Sequence, residues 1–303
     1  MHYILDPLYY AVSWVLVQFH SFLGLIVGKD GHESIKWSLS IILLVVLIRI
    51  ILIPLFVKQI KSQRALTALQ PHMKEIQKKY KDDRQKQSEE MMKLYKDHKT
   101  NPLASCFPIL AQAPIFFALF TVLNGISTGR GHGLMKGAVL ESAKQAQFFG
   151  ADLSSRFIGS SGNTQTKVVT IFLILFMSAS TFATQRQLMT KGMPKMDSSN
   201  NMMLQQQKIM LYVFPIIFAI SGVNFPVGVL LYWGTTNLWT FGQQMYVIKR
   251  NPTPGSPAYD EWRKKQEAKN NSDVTPTENN EGSVATEEPK GQRKQPKRKR
   301  RNR

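Results

Sequence analysis

The residue with the clearest chemical consequence is Arg49, the one formal charge in the inner half of an apolar run, Trp37 to Val57, reading WSLSIILLVVLIRIILIPLFV. Roughly twenty residues at about 1.5 Å each cover the hydrocarbon core, so this run is long enough to cross a bilayer. Lys58 marks its far end, nine residues beyond Arg49. At helical rise that is on the order of 13 Å inside the boundary. A guanidinium does not escape by losing its proton, and inserting one costs at least about 2.5–3.5 kcal/mol. Snorkelling relieves part of that cost. Such an arginine should face a watery cavity, a polar partner or a substrate. The plainer alternative is an arginine neutralised inside a helix bundle, but no Asp or Glu occurs in any other run expected to span.

Other chemistry is thinly represented. His2, His20, His32, His72, His98 and His132 are scattered, without HExxH-like spacing or carboxylate clusters. Cys106 is the single cysteine, which excludes an intrachain disulfide framework and a thiolate metal cluster. There is no GxxxxGK[ST] phosphate loop, and no paired Ser-His or Asp-Asp set suited to an intramembrane protease. An enzyme is therefore the weakest class, and no cofactor or metal is expected. A small-solute or anion transporter using Arg49 to hold an anion is the alternative. An ion-coupled transporter would ordinarily carry inverted repeats or intramembrane carboxylates, and neither is evident.

The elements that must position Arg49 follow from an uneven hydropathy. The 303 residues are 43% hydrophobic with a formal charge of +19, yet the mean hydropathy is only -0.18. Nearly charge-free runs alternate with basic segments, the pattern of a membrane protein with polar appendages. The start, MHYILDPLYY, lacks a basic n-region, so no cleaved signal peptide is expected. Leu8 to Val27 is free of formal charge and carries Ser13, Gln18, His20 and Ser21. Asp6-Pro7 is a helix-start signal, and the absence of Lys or Arg at the N-terminus argues against holding it in the cytoplasm. This segment reads as an amphipathic helix on the outer surface, with a sixth span as the alternative.

Lys58 to Thr100 repeats apolar residues at Ile60, Leu66, Leu69, Met73, Ile76 and Tyr80, one helical stripe. Lys81-Asp82-Asp83 interrupts it, and a second helix runs through Met91, Met92, Leu94 and Tyr95. The pair predicts a cytoplasmic helical hairpin whose first arm is kinked or interrupted at Pro71. Leu103 to Leu123 is the second span, with Pro108, Pro114 and Gln112 inside it. The loop from Asn124 to Thr166 falls outside by parity, and Ala138 to Phe149 is a candidate surface helix. Lys167 to Gln185 holds the third span. Arg186, Lys191, Lys195 and Lys208 then mark a cytoplasmic loop.

The fourth span, Ile209 to Ser221, is short, and Asn224-Phe225-Pro226 turns it into the fifth, Val227 to Val247. The fifth carries Tyr232, Trp233, Thr235, Thr236 and Asn237 near its middle, then Gln243 and Gln244. Interhelical packing is the plain reading of such polar residues. Asn251 to Glu288 is rich in Pro, Asn, Ser and Glu and is expected to be disordered. The tail from Lys290, KGQRKQPKRKRRNR, suits either RNA phosphates or anionic headgroups, through contacts centred on Lys297, Arg298, Lys299, Arg300 and Arg301. The divisions are thus 1–35, an external segment with an interfacial helix; 36–57, the first span; 58–102, the hairpin; 103–250, four further spans; and 251–303, the basic tail.

Several segments together resemble the YidC family of membrane protein insertases. They are IRIILIPL around Arg49, LQPHMKEIQKKY, YKDHKTNPLASCFPILAQAPIFFALF, YVFPIIF and GVLLYWGTTNLWTFGQQ, in that order from about Asp6 to Lys249. The resemblance implies an all-α polytopic membrane protein: five transmembrane helices, an external surface helix and a cytoplasmic helical hairpin. It implies a hydrophilic groove open to the cytoplasm and to lipid, with Arg49, Gln112, Phe116, Trp233, Thr236 and Asn237 facing it. Val45 stands where some members have a polar residue, so a drier groove wall is expected there. The chain looks like the short, Gram-positive form, without the large extracytoplasmic domain. Nascent membrane proteins and membrane lipids are the partners this implies, with the Sec translocon and, through the basic tail, the ribosome as candidates. The implied location is the bacterial plasma membrane, N-terminus outside and C-terminus in the cytoplasm.

Overall fold

The computed structural model describes residues 2–28, 32–101, 107–159, 163–194 and 208–272. Lys297, Arg298, Lys299, Arg300 and Arg301, like the rest of the basic tail, lie outside the described residues. The chain divides into two units, Met1–Arg263 and Lys264–Arg303. The described part is nearly all helical: α1 His2–Val27, α2 Glu33–Ile51, α3 Ile53–Ala68, α4 Gln70–Lys79, α5 Arg84–Asp97, α6 Phe107–Thr128, α7 Gly137–Gln145, α8 Thr164–Gln187, α9 Phe214–Gly222, α10 Val227–Arg250 and α11 Pro257–Ser272. Short π-helical turns, Leu188–Gly192 and Ile209–Val213, extend α8 and lead into α9.

Among the described residues three segments are long and apolar enough to cross a membrane: Leu5–Val27, Glu33–Ile51 and Thr164–Gly192. Gln112–Thr128 and Ile209–Gly222 are shorter apolar helices. The 24 residues of α10 suffice in length, but its polar middle makes it less apolar. α10 packs most extensively on α8, and also on α2 and α6. The core forms where α2 buries Trp37, Ile41, Leu44 and Val45, one helical face at i, i+4, i+7 and i+8, against Leu119 and Val122 of α6 and Val227 and Leu230 of α10. Ile171, Phe172 and Leu175 on α8 and Ile216, Ile217 and Ile220 on α9 remain exposed. Apolar exposure on that scale marks faces meant for lipid.

Several sequence-based boundaries need correction. The first apolar run is not one helix to Val57. It stops at Ile51 and resumes at Ile53, since Pro54 has no N–H to give the carbonyl of Ile50. α3 then continues past Lys58 to Ala68 with no gap at the polar boundary. α6 runs to Thr128, beyond Leu123. The expected helix over Ala138 to Phe149 ends at Gln145, followed by a two-stranded ribbon, β1 Gln147–Phe148 with β2 Ala151–Asp152. Its turn places Phe149 at φ 49° and Gly150 at φ 80°, a left-handed pair that no helix accommodates. The expected disorder after Asn251 is overturned at α11. Ser256 caps that helix, its hydroxyl 3.3 Å from the N–H of Tyr259, and Pro257 opens it.

Pro71 falls in the first turn of α4, and Asp83 caps α5 by accepting from the N–H of Lys86 at 2.9 Å. α4 and α5 lie side by side, with the Tyr95 hydroxyl 3.8 Å from the sulfur of Met73 and the amide of Gln87 reaching the Gln77 carbonyl at 3.3 Å.

One end of the helix bundle is capped by the segment between α6 and α8. The N–H of Val227 donates to Ser155 and that of Gly228 to Leu153, both at 2.9 Å. Arg156 donates to Asn124 at 2.9 Å and to Ser127 at 3.3 Å. Trp37 donates through Nε1 to Ser142 at 2.9 Å, and Ser142 donates to Glu33 at 2.7 Å. α1 touches this same end along its length. Tyr9 meets His132 edge-on, Ser13 accepts from the N–H of Leu134 at 2.9 Å, and His20 stacks on Trp37 while bonding Glu33 at 2.8 Å.

Candidate substrate groove

Toward the other end the helices part around a cavity of about 460 Å³. α2 and α3 present Arg49, Leu52, Phe56 and Gln59, spaced by three or four along one face. The break at Leu52 sits in this wall. α6 adds Gln112 and Phe116 one turn apart, and α10 adds Tyr232, Trp233, Thr236 and Gln243. Polar groups come from all three walls: a guanidinium, three amides, a phenol and a hydroxyl. Arg49 and Tyr232 line the cavity together, and among the described residues no carboxylate pairs with Arg49. A permanent cation in a roomy, partly polar cavity is a receptor for negative charge or for a polar chain.

Between this cavity and the capped end lies an aromatic layer. The Trp233 ring packs 5.7 Å from Phe116, 4.9 Å from Phe218 and 5.4 Å from Phe225, and Phe120 meets Phe225 at 5.7 Å. This explains why Trp233 sits deeper than an interfacial belt would place it. With Arg156 and the 153–155 carbonyls stacked behind, a polar chain entering the cavity would meet packed rings and satisfied hydrogen bonds.

Five of the six residues singled out from the sequence line this cavity together: Arg49, Gln112, Phe116, Trp233 and Thr236. Asn237 does not. Its amide turns to α8, donating to the Met177 carbonyl at 3.2 Å and to the Thr181 hydroxyl at 3.0 Å. One residue along a helix is a turn of about 100°, enough to leave the groove for a neighbour. Asn237→Leu should therefore cost on the order of 0.6–1.7 kcal/mol of stability. Detergent melting should show this loss while a client-insertion assay changes little; insertion collapsing with an unchanged melt would return Asn237 to the groove. Val45 is likewise buried in the core and not among the residues that line the cavity. Gln59, Tyr232 and Gln243 complete the polar lining and were not in the sequence-based set; Gln59 lies ten residues after Arg49 on the same face.

Apolar outer faces around a half-polar interior define a multi-pass helical membrane protein. Residues 30–254 match the family model described as 60Kd inner membrane protein, and the chain belongs to this family, that of the YidC insertases. It is 57% identical over 255 residues to the membrane protein insertase YidC of Streptomyces avermitilis, covering 82% of this chain and 59% of that one. To YidC of Tropheryma whipplei it is 36% identical over 313 residues, covering 98% and 95%. A solved structure described as the active YidC insertase with its first transmembrane domain resolved aligns with a TM-score of 0.50 at 26% identity, over 80% of this chain and 46% of that one. The chain thus spans less than two thirds of the Streptomyces relative and less than half of the solved protein.

Proposed function

We propose that this chain is a membrane protein insertase that acts without covalent chemistry. A polar or acidic segment of a client enters the groove and is held by Arg49. Its apolar helix leaves along the greasy faces of α6 and α10 into lipid. The groove lowers the barrier that a polar chain meets in hydrocarbon, and the membrane potential adds about 2.3 kcal/mol per acidic charge per 100 mV. The single observation that carries this reading is a cation without a carboxylate partner among the described residues, in a cavity lined by amides and aromatics.

In this reading five spans are formed by α2 with the start of α3, α6, α8, α9 and α10. The fourth covers only 14 residues, about 20 Å at helical rise against a hydrocarbon core of about 30 Å, which favours locally thinned lipid. α1 lies on the outer surface. Its contacts at Tyr9, Ser13 and His20 each meet the capped end, whereas a perpendicular span would descend on the order of 16 Å over those residues. α4 and α5 form the cytoplasmic hairpin that receives clients. The N-terminus is outside and the C-terminus in the cytoplasm, in keeping with the cations of α3, α4 and the end of α10. The Sec translocon and, through Lys297 to Arg301, the ribosome are proposed partners.

The test is insertion of a short single-span client with an acidic tail into proteoliposomes holding only this protein. Protease-protected client should accumulate well above empty liposomes, with no saturable uptake of small anions. Saturable anion flux without insertion would replace this reading with a transporter.

A further inference from the structure

A second cavity, of about 510 Å³, adjoins the groove through Phe56 and Gln243. It lies between α3 and the last turns of α10. Ile53, Phe56, Val57 and Ile60 form one wall, and Trp239, Tyr246 and Val247 the other. Gly242 stands in the α10 wall, and a side chain there would meet nothing within 4 Å, so its absence keeps the slot open. Ile53, Val57 and Tyr246 are exposed, so the slot opens to the surroundings. Lys61 and Arg64 close one end, and no carboxylate is among the lining residues. Arg64 is anchored by one Nη donating to the Asn251 carbonyl, while its buried Nε has no partner among the described residues.

We infer that this slot holds an anionic phospholipid of the cytoplasmic leaflet, its acyl chain between α3 and α10 and its phosphate on Lys61 and Arg64. This rests on the orientation proposed above. Ile53 to Arg64 covers on the order of 16 Å of helix, close to half of the ~30 Å hydrocarbon core, the depth of one leaflet. The cations stand at the end where headgroups would lie, the arrangement by which basic pockets between helices select acidic lipids. Lipid seated here touches Phe56 and Gln243 and so bears directly on the groove wall.

Native mass spectrometry of the full chain, titrated with dioleoyl phosphatidylglycerol or dioleoyl phosphatidylcholine, tests this. Phosphatidylglycerol should be retained about tenfold better, as two cations facing one phosphate would favour. Lys61→Ala with Arg64→Ala should abolish that preference, and Gly242→Leu, which fills the slot and leaves the cations, should weaken retention of phosphatidylglycerol. Equal retention of the two lipids, or a preference unmoved by either variant, overturns the site. Lys58→Cys in a Cys106→Ser background, labelled with an impermeant maleimide in vesicles of known sidedness, tests the orientation separately. Labelling from outside overturns the leaflet assignment, whereas cytoplasmic labelling with no lipid preference leaves the orientation standing and removes only the lipid.

Discussion

Arg49→Ala is expected to lower insertion of single-span clients with acidic tails by about tenfold or more, with Arg49→Lys retaining most of the activity. A carboxylate about 4 Å from the guanidinium, at an effective dielectric of ~20, gains ~4 kcal/mol before desolvation. If only about a third of that survives, ~1.4 kcal/mol, the occupancy of the groove falls about tenfold. The fold should not suffer, because Arg49 makes no ion pair among the described residues, so its loss leaves no partner charge uncompensated. Proteoliposome insertion and a melting curve on the same preparations separate the two effects. Full insertion by the alanine variant would leave hydration and thinned lipid to explain the activity. Clients with neutral tails should respond far less.

Trp37→Ala is expected to produce the largest loss of stability, about 3–5 kcal/mol, as truncation of a buried tryptophan typically does. Trp37 is 1% exposed and touches three separate parts of the chain. It lies in the α2 core face, its ring stacks at 4.1 Å on His20 of α1, and its Nε1 donates to Ser142 of α7. Trp37→Phe keeps most of the packing and loses the hydrogen bond, so it should cost nearer ~1 kcal/mol. Thermal melting in detergent, with proteolysis of the loop between α6 and α8 as a second readout, gives the order wild type, Phe, Ala. An unchanged melt for the alanine variant would mean that α1 and the cap are not held through this residue.

The order of helices and the isolated cation at Arg49 were legible in the chain because hydrophobic run length and a lone charge are local properties. The capping of α5 at Asp83 and the interruption at Pro71 follow from equally local chemistry. Local signals also explain two misjudged boundaries: Pro54 breaks the first run and Ser256-Pro257 starts α11, each overshadowed by average composition. Gln59 was passed over because, in a basic stretch, one more polar residue carries no contrast.

What the sequence by itself determined, then, is which residues are apolar, where helices begin and break, and that a cation must be accommodated among them. The tertiary structure alone decided which polar side chains share a space. Thr236 and Asn237 are neighbours of similar chemistry, yet one lines the cavity with Arg49 and the other clasps α8. Helical periodicity defines faces, but which neighbour each face meets depends on how α2, α6, α8 and α10 pack around one another. The aromatic layer from Phe116 to Phe225 is of the same kind, built from three helices whose residues lie far apart in the chain. Its packing depends on crossing positions that no single segment encodes.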